Sequence, residues 1–188
     1  MTMPILFKKV KMILVGLVTS ISMLIIVAQS YADTTRRSPS DDGAFTAGPY
    51  YNSTTRSYFE LIRRDSLTWE NAEIEATNHT YKNTVGRLAV VDRPETHMFL
   101  VRNFIFTQDT WIGLRFVCKN SDLIWPDGIS HKGKPFSNWS STSNQNNLSC
   151  PETGHLYTFI NGNAFDWTLA DWEKSSRYML VEYQTGRR

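Results

Sequence analysis

The chain has 188 residues with 20 lysines and arginines against 18 acids, and aromatic residues make up 13% of it. So many large rings exclude a disordered chain. Lys8, Lys9 and Lys11 lie in the first 32 residues, which hold no acid; the remainder carries 17 basic against 18 acidic residues, without the basic excess that nucleic-acid binding requires, and no nucleic-acid partner is expected.

The N-terminus has an ordered pattern. The three lysines precede Met12 to Ala28, a 17-residue apolar run broken only by Gly16, Thr19, Ser20 and Ser22. Ser30-Tyr31-Ala32 then places small residues two apart. Positive flank, apolar run and small-residue site define a signal peptide over 1–32, cleaved before Asp33. The run also reaches the short end of the roughly 17–25 residues that span a bilayer, so an uncleaved anchor is the alternative. No cysteine follows the run, which argues against lipid attachment there. In either case the rest of the chain is expected outside the cytosol: secreted, periplasmic or extracellular, or held to a membrane by one span. There, Cys118 and Cys150 can form one intramolecular bridge; two free thiols are the alternative. A metal role is poor, because the pair is 32 residues apart with no CxxC and no histidine at ligand spacing.

Residues 33–56 read as a flexible linker, polar to Asp42 and then punctuated by Gly43, Gly48 and Pro49. Order is expected from near Ser57. Tyr58 to Ile62 has strand composition, ended by Arg63-Arg64-Asp65. Thr68 can cap a helix in which Trp69, Ala72 and Ala76 share one face, with acids crowding its first turns. Gly86 to Val91 is a second short strand. Asp92 and Glu95 have capping-box spacing, with Pro94 in the first turn of a helix through Met98, Phe99, Leu100 and as far as Phe104. Trp111 to Leu114 is strand-like, and so are His155 to Ile160 and Arg177 to Tyr183.

Between the first two of these runs, Lys119 to Pro151 is rich in Asn, Ser, Gly, Pro and Lys, interrupted by Leu123-Ile124-Trp125 and Phe136 to Trp139. A polar stretch of this length in a compact domain is usually functional or disordered, and the embedded tryptophans argue that it is anchored. Helices come early and strands late, an α+β arrangement. Trp111, Trp125, Trp139 and Trp167 are expected as core and loop anchors, and Gly113 as a site of close packing. His79, His97, His131 and His155 sit apart, with no nucleophile motif, no HExxH and no phosphate-cradling glycine loop, so no enzyme is expected. Four Asn-x-Ser/Thr sequons begin at Asn52, Asn78, Asn138 and Asn147.

Six segments in order carry a resemblance. SLTWENAEIEA, GRLAVVDRPETHMFL, TWIGLR, LIWPDG, FSNW and RYMLVEY resemble the successive signatures of the C-type-lectin-like domain, over about Ser57 to Tyr183, with the last in a form common among bacterial members. TWIGLR is the most specific. The resemblance implies a C-type-lectin-like fold over 57–184, with two helices, short antiparallel strands and a long polar loop region. It implies a non-catalytic module that binds carbohydrate through that region; a calcium-independent protein-binding domain is the alternative, and an enzyme on a related fold a more distant one.

Sugar-binding relatives hold calcium through a Glu-Pro-Asn or Gln-Pro-Asp motif, a nearby Glu and a Trp-Asn-Asp motif. The first falls here on Asn144-Gln145-Asn146, followed by Asn147, without the proline or the acid. The last is divided between Trp167-Thr168-Leu169 and Leu169-Ala170-Asp171. The implied ligand-binding residues are Asn144, Asn146, Asn147 and Asp171, and Trp172 is a further candidate as a loop aromatic able to contact a ligand directly. A calcium ion would draw on Asn144, Asn146, Glu152 and Asp171, with Asn147 and Asp166 further candidates. Calcium takes 6–8 oxygens with carboxylates among them, and this set is short of acids, so no cofactor is expected. The family's usual cysteine pairs are absent; Cys150 alone matches, and a bridge to Cys118 would tie both ends of the polar loop.

The processing reading has a direct check. Mass spectrometry of exported protein is expected to find Asp33 at the N-terminus, whereas an intact Met1 in a membrane fraction would identify the anchor.

Overall fold

The computed structural model describes residues 46–132, 136–141, 149–162, 164–171 and 173–186. The expected signal segment, and the linker up to residue 45, lie outside them. Strands β1 (Thr46–Asn52) and β2 (Ser57–Leu67) pair antiparallel, followed by helix α1 (Trp69–Asn78). Three two-residue strands follow, β3 (Thr80–Tyr81), β4 (Thr84–Val85) and β5 (Arg87–Leu88), then helix α2 (Pro94–Asn103). The second half supplies β6 (Thr110–Val117), β7 (Asp122–Ile124), β8 (His155–Ile160), β9 (Trp167–Ala170) and β10 (Ser176–Gln184).

The main sheet runs β1-β2-β10-β6-β8-β9, with β5 added to β10 and β7 to β6; β3 and β4 form a separate hairpin. Every pairing is antiparallel except β10 with β6. The last strand therefore returns between β2 and β6 and joins the two halves of the chain.

Each helix covers its own apolar cluster. Trp69, Ala72 and Ala76 of α1 pack with Ile62, Trp111, Tyr157, Met179, Val181 and Tyr183. Leu100 of α2 packs with Phe59, Leu61, Ile112, Leu114, Trp125, Trp167 and Leu180. The alternation Ile62/Leu61 and Met179/Leu180 sends neighbouring side chains to opposite clusters, as the period of two in a strand requires. Thr68 caps α1 as expected, its Oγ1 accepting from Asn71 N at 3.3 Å. Adding a Cβ to Gly113 would bring it within 2.4 Å of the Pro126 ring and 2.9 Å of Leu88 O, so this strand position needs glycine for contact, as expected.

Four expectations are corrected. Order starts at Thr46, inside the expected linker, because Tyr50 and Tyr51 pair with Phe59 and Tyr58. Arg63-Arg64-Asp65 do not end β2; it continues to Leu67, where Ser176 of β10 pairs with it. Asp92 does not cap α2: Arg93 is the cap residue, without a side-chain cap bond, and Phe104 lies just past the helix. Only Arg87 and Leu88 of the Gly86–Val91 segment form a strand, although Ala89, Val90 and Val91 are all buried.

Glu182 of β10 is 0% exposed. Its Oε2 accepts from Val90 N at 3.2 Å and from Arg87 Nη2 and Nε at 3.2 and 3.3 Å. Arg87 also approaches Asp127 at 3.8 Å. This carboxylate joins the irregular 89–91 segment to the last strand. Arg87 stays partly solvated and close to Asp127, so Glu182→Ala is expected to cost about 1–3 kcal/mol, the loss of charge-assisted hydrogen bonds at a buried acceptor. A urea unfolding midpoint unchanged in Glu182→Ala would show that the pair contributes nothing.

Candidate functional site

The polar region expected to carry the site begins where β6 ends. Cys118 opens a short 3-10 turn (Cys118–Asn120), and β7 folds back on β6 through Arg115–Ile124, Phe116–Leu123 and Val117–Asp122. Cys118 is disulfide-bonded to Cys150 with Cα atoms 6.0 Å apart, and its N–H donates to Gly154 O at 2.9 Å. The bridge joins the two ends of the polar region at its neck.

Polar residues then make the local turns. Trp125 N donates to Ile129 O at 3.0 Å and Gly128 N to Trp125 O at 2.9 Å. Gly128 has φ +78°, a conformation that suits a residue without a Cβ. Asp122 Oδ1 accepts from Ser130 Oγ at 2.8 Å, and His131 N donates to Leu123 O at 2.7 Å.

The next anchor is Trp167, fully buried on β9. Trp125, His131, Phe136 and Trp139 surround it, with ring centroids 6.1, 5.9, 5.5 and 5.5 Å away and steep interplanar angles. Its N–H donates to Asn138 O at 2.7 Å and its carbonyl accepts from Ser140 N at 2.8 Å, so residues 138–140 lie against β9. The anchoring role expected of Trp125, Trp139 and Trp167 is what the structure shows.

Helix α2 holds the same segment from the other side. Asn138 Nδ2 donates to Phe165 O at 2.9 Å, which settles the direction of that amide. The same Nδ2 lies 3.5 Å from His97 Nε2, so Nε2 must be the unprotonated nitrogen. His97 also packs on Phe136 at 5.5 Å. Burial pushes its pKa below the usual 6.5.

The expected ligand residues divide into two groups. Asn144, Asn146, Asn147 and Trp172 lie outside the described residues. Glu152 is exposed in the Pro151–Gly154 turn before β8, and Asp171 is exposed immediately after β9. Since Tyr157 pairs with Ala170 and His155 with Val117, both acids fall at the disulfide end of the β8–β9 hairpin. Asp166 precedes β9 at the opposite end, about 16 Å of extended chain from Asp171, and does not join them. Among the described residues no three His, Cys, Asp or Glu side chains group as a metal ion requires.

One feature at this end was missed by sequence reasoning. Trp69, Tyr157 and His155 form a stack, with centroids 4.8 and 6.3 Å apart and interplanar angles of 18° and 20°. Arg115 lies over Trp69 at 5.8 Å and reaches Glu73 at 4.0 Å. Burial, then a hydrogen bond with Glu70, raises the Tyr157 hydroxyl pKa well above its usual value. The alternation of His155 and Tyr157 puts them on one face of β8; that Trp69 completes the stack is legible only in three dimensions.

The sequence profile described as the lectin C-type domain matches residues 65–176. Halomucin of Haloquadratum walsbyi is 27% identical over 147 residues, covering 71% of this chain; the chain spans 2% of halomucin's length. Among solved structures, the C-type lectin CEL-I of Cucumaria echinata superposes with a TM-score of 0.53 at 18% identity, covering 68% of this chain and 91% of that one. The Ca2+-independent C-type lectin SPL-2 of Saxidomus purpuratus gives 0.50 at 16% identity, covering 69% and 88%. These structures share the fold.

The His97 contact makes a pH prediction. A histidine whose folded pKa is lowered contributes stability that is complete above the unfolded value of about 6.5 and is lost as pH falls through it toward the folded pKa. Urea midpoints are expected to drop more steeply between pH 7.5 and 5 for the wild type than for His97→Phe. Equal slopes would show that His97 is not the titrating group.

Proposed function

From the premise that this chain belongs to the C-type lectin domain family, we propose that it is an exported, non-catalytic recognition module that binds carbohydrate through the 119–151 region. The observation that carries the reading is the anchoring of that region. A disulfide closes its neck, Trp167 fixes residues 136–140, and the Asp122–His131 turn is internally hydrogen bonded. Binding loops are characteristically held in this way by a rigid scaffold, because a prepositioned loop loses less entropy when ligand arrives.

Recognition here is by direct contact. The amide-rich stretch Asn144 to Asn147 offers donors and acceptors without the charge that a calcium site needs. Of the candidate acids, Asp166 sits away from Glu152 and Asp171. Calcium-independent binding has a precedent in SPL-2, which shares the fold. Asn144, Asn146, Asn147, Asp171 and Trp172 are the contact residues of this reading. A protein ligand at the same loops is the second reading, favoured by the same poverty in acids.

A glycan array read with and without chelator tests both. Carbohydrate binding that persists in chelator is expected. A calcium ion held by the native state would add about 2.7 kcal/mol of stability at 100 times its dissociation constant, a shift of several degrees in Tm. No chelator-reversible shift is expected at millimolar calcium; a clear one would overturn the direct-contact reading, and Asp171→Ala would then be expected to abolish it.

A further inference from the structure

A groove of about 540 Å³ lies between the β1–β2 turn and α2, lined by none of the residues of the long-loop site. One wall is Tyr51, Asn52, Ser53 and Thr54; the other is the α2 face bearing Glu95, Met98, Phe99 and Arg102. The volume falls within the range of small-ligand sites.

Two features point to a ligand. Met98 is 45% and Tyr51 49% exposed, and both line the groove, so apolar surface is left open there. Arg102 and Glu95 lie two helical turns apart, about 10 Å along the axis, and neither has a hydrogen bond or ion pair among the described residues.

An apolar strip between hydroxyl- and amide-bearing residues matches a pyranose ring, which has a C–H face and a polar edge. The free guanidinium at one end matches a carboxylate, which arginine grips through paired N–H donors. Glu95 at the other end accepts hydroxyls and repels a second anion. We propose that this groove binds a carboxylated saccharide unit of the uronic acid class, with Arg102 on the carboxylate, Met98 and Phe99 beneath the ring, and Ser53 and Thr54 on its hydroxyls.

Isothermal titration of the exported chain with trigalacturonate, and with its methyl ester, tests the assignment. Saturable binding in the millimolar range or tighter is expected for the acid. It should weaken about tenfold to a hundredfold for the ester and in Arg102→Gln, the range implied by losing a charge-assisted hydrogen bond. Asp171→Ala, in the long-loop region, should leave it intact, which separates this site from the one proposed above. Absence of saturable binding, equal binding of acid and ester, or sensitivity to Asp171→Ala without sensitivity to Arg102→Gln would each overturn the proposal.

Discussion

The region that distinguishes this protein is held by one indole. Residues 119 to 151 carry few apolar groups, and ordering each backbone residue costs about 1–2 kcal/mol. Trp167 opposes that cost by placing its ring among Trp125, His131, Phe136 and Trp139, which arrive from three separate stretches of the polar region. Edge-to-face pairs contribute about 0.5–1.5 kcal/mol each beyond their buried area. The backbone of the same residue bonds Asn138 and Ser140, so position and direction are set together.

The disulfide acts on a different part of the problem. By closing a loop of 32 residues it removes roughly 3–4 kcal/mol of chain entropy from the unfolded state, but it specifies nothing inside the loop. The Asp122–Ser130 bond, the Asn138 network and the Trp167 cluster supply that specificity. Behind them stands the main sheet. β10 lies between β2 and β6, and its buried Glu182 grips Arg87 and Val90 across the sheet. The turn at Glu152 and the end of β9 at Asp171 are brought to one end of the hairpin by the register of β8 against β6 and β9.

α2 serves two surfaces at once. His97 and Leu100 face the long loop and the core, while Glu95, Met98 and Arg102 face the β1–β2 turn. A ten-residue helix with such different sides explains its modest amphipathic pattern, and why its exposed methionine has no role in the core.

Much of the fold was legible in the sequence. Thr68, Trp69, Ala72 and Ala76 announce α1 because capping chemistry and helical spacing are local. The Trp-Ile-Gly-Leu strand, its tight glycine and the anchoring tryptophans follow from signature and composition. So does the bridge between two cysteines that have no other partner. β1 was missed because Thr46–Asn52 is a strand only by virtue of β2: its glycine and proline read as linker, and the hydrogen bonds that overrule them come from another segment. The same holds for the candidate sites. The polar and acidic candidates came from the positions where the sequence resembles the family's motifs. Only the tertiary structure separated Asp166 from Asp171, completed the Trp69–Tyr157–His155 stack and opened the groove beside α2, because each depends on strand register and helix placement, which side chains distant in sequence decide together.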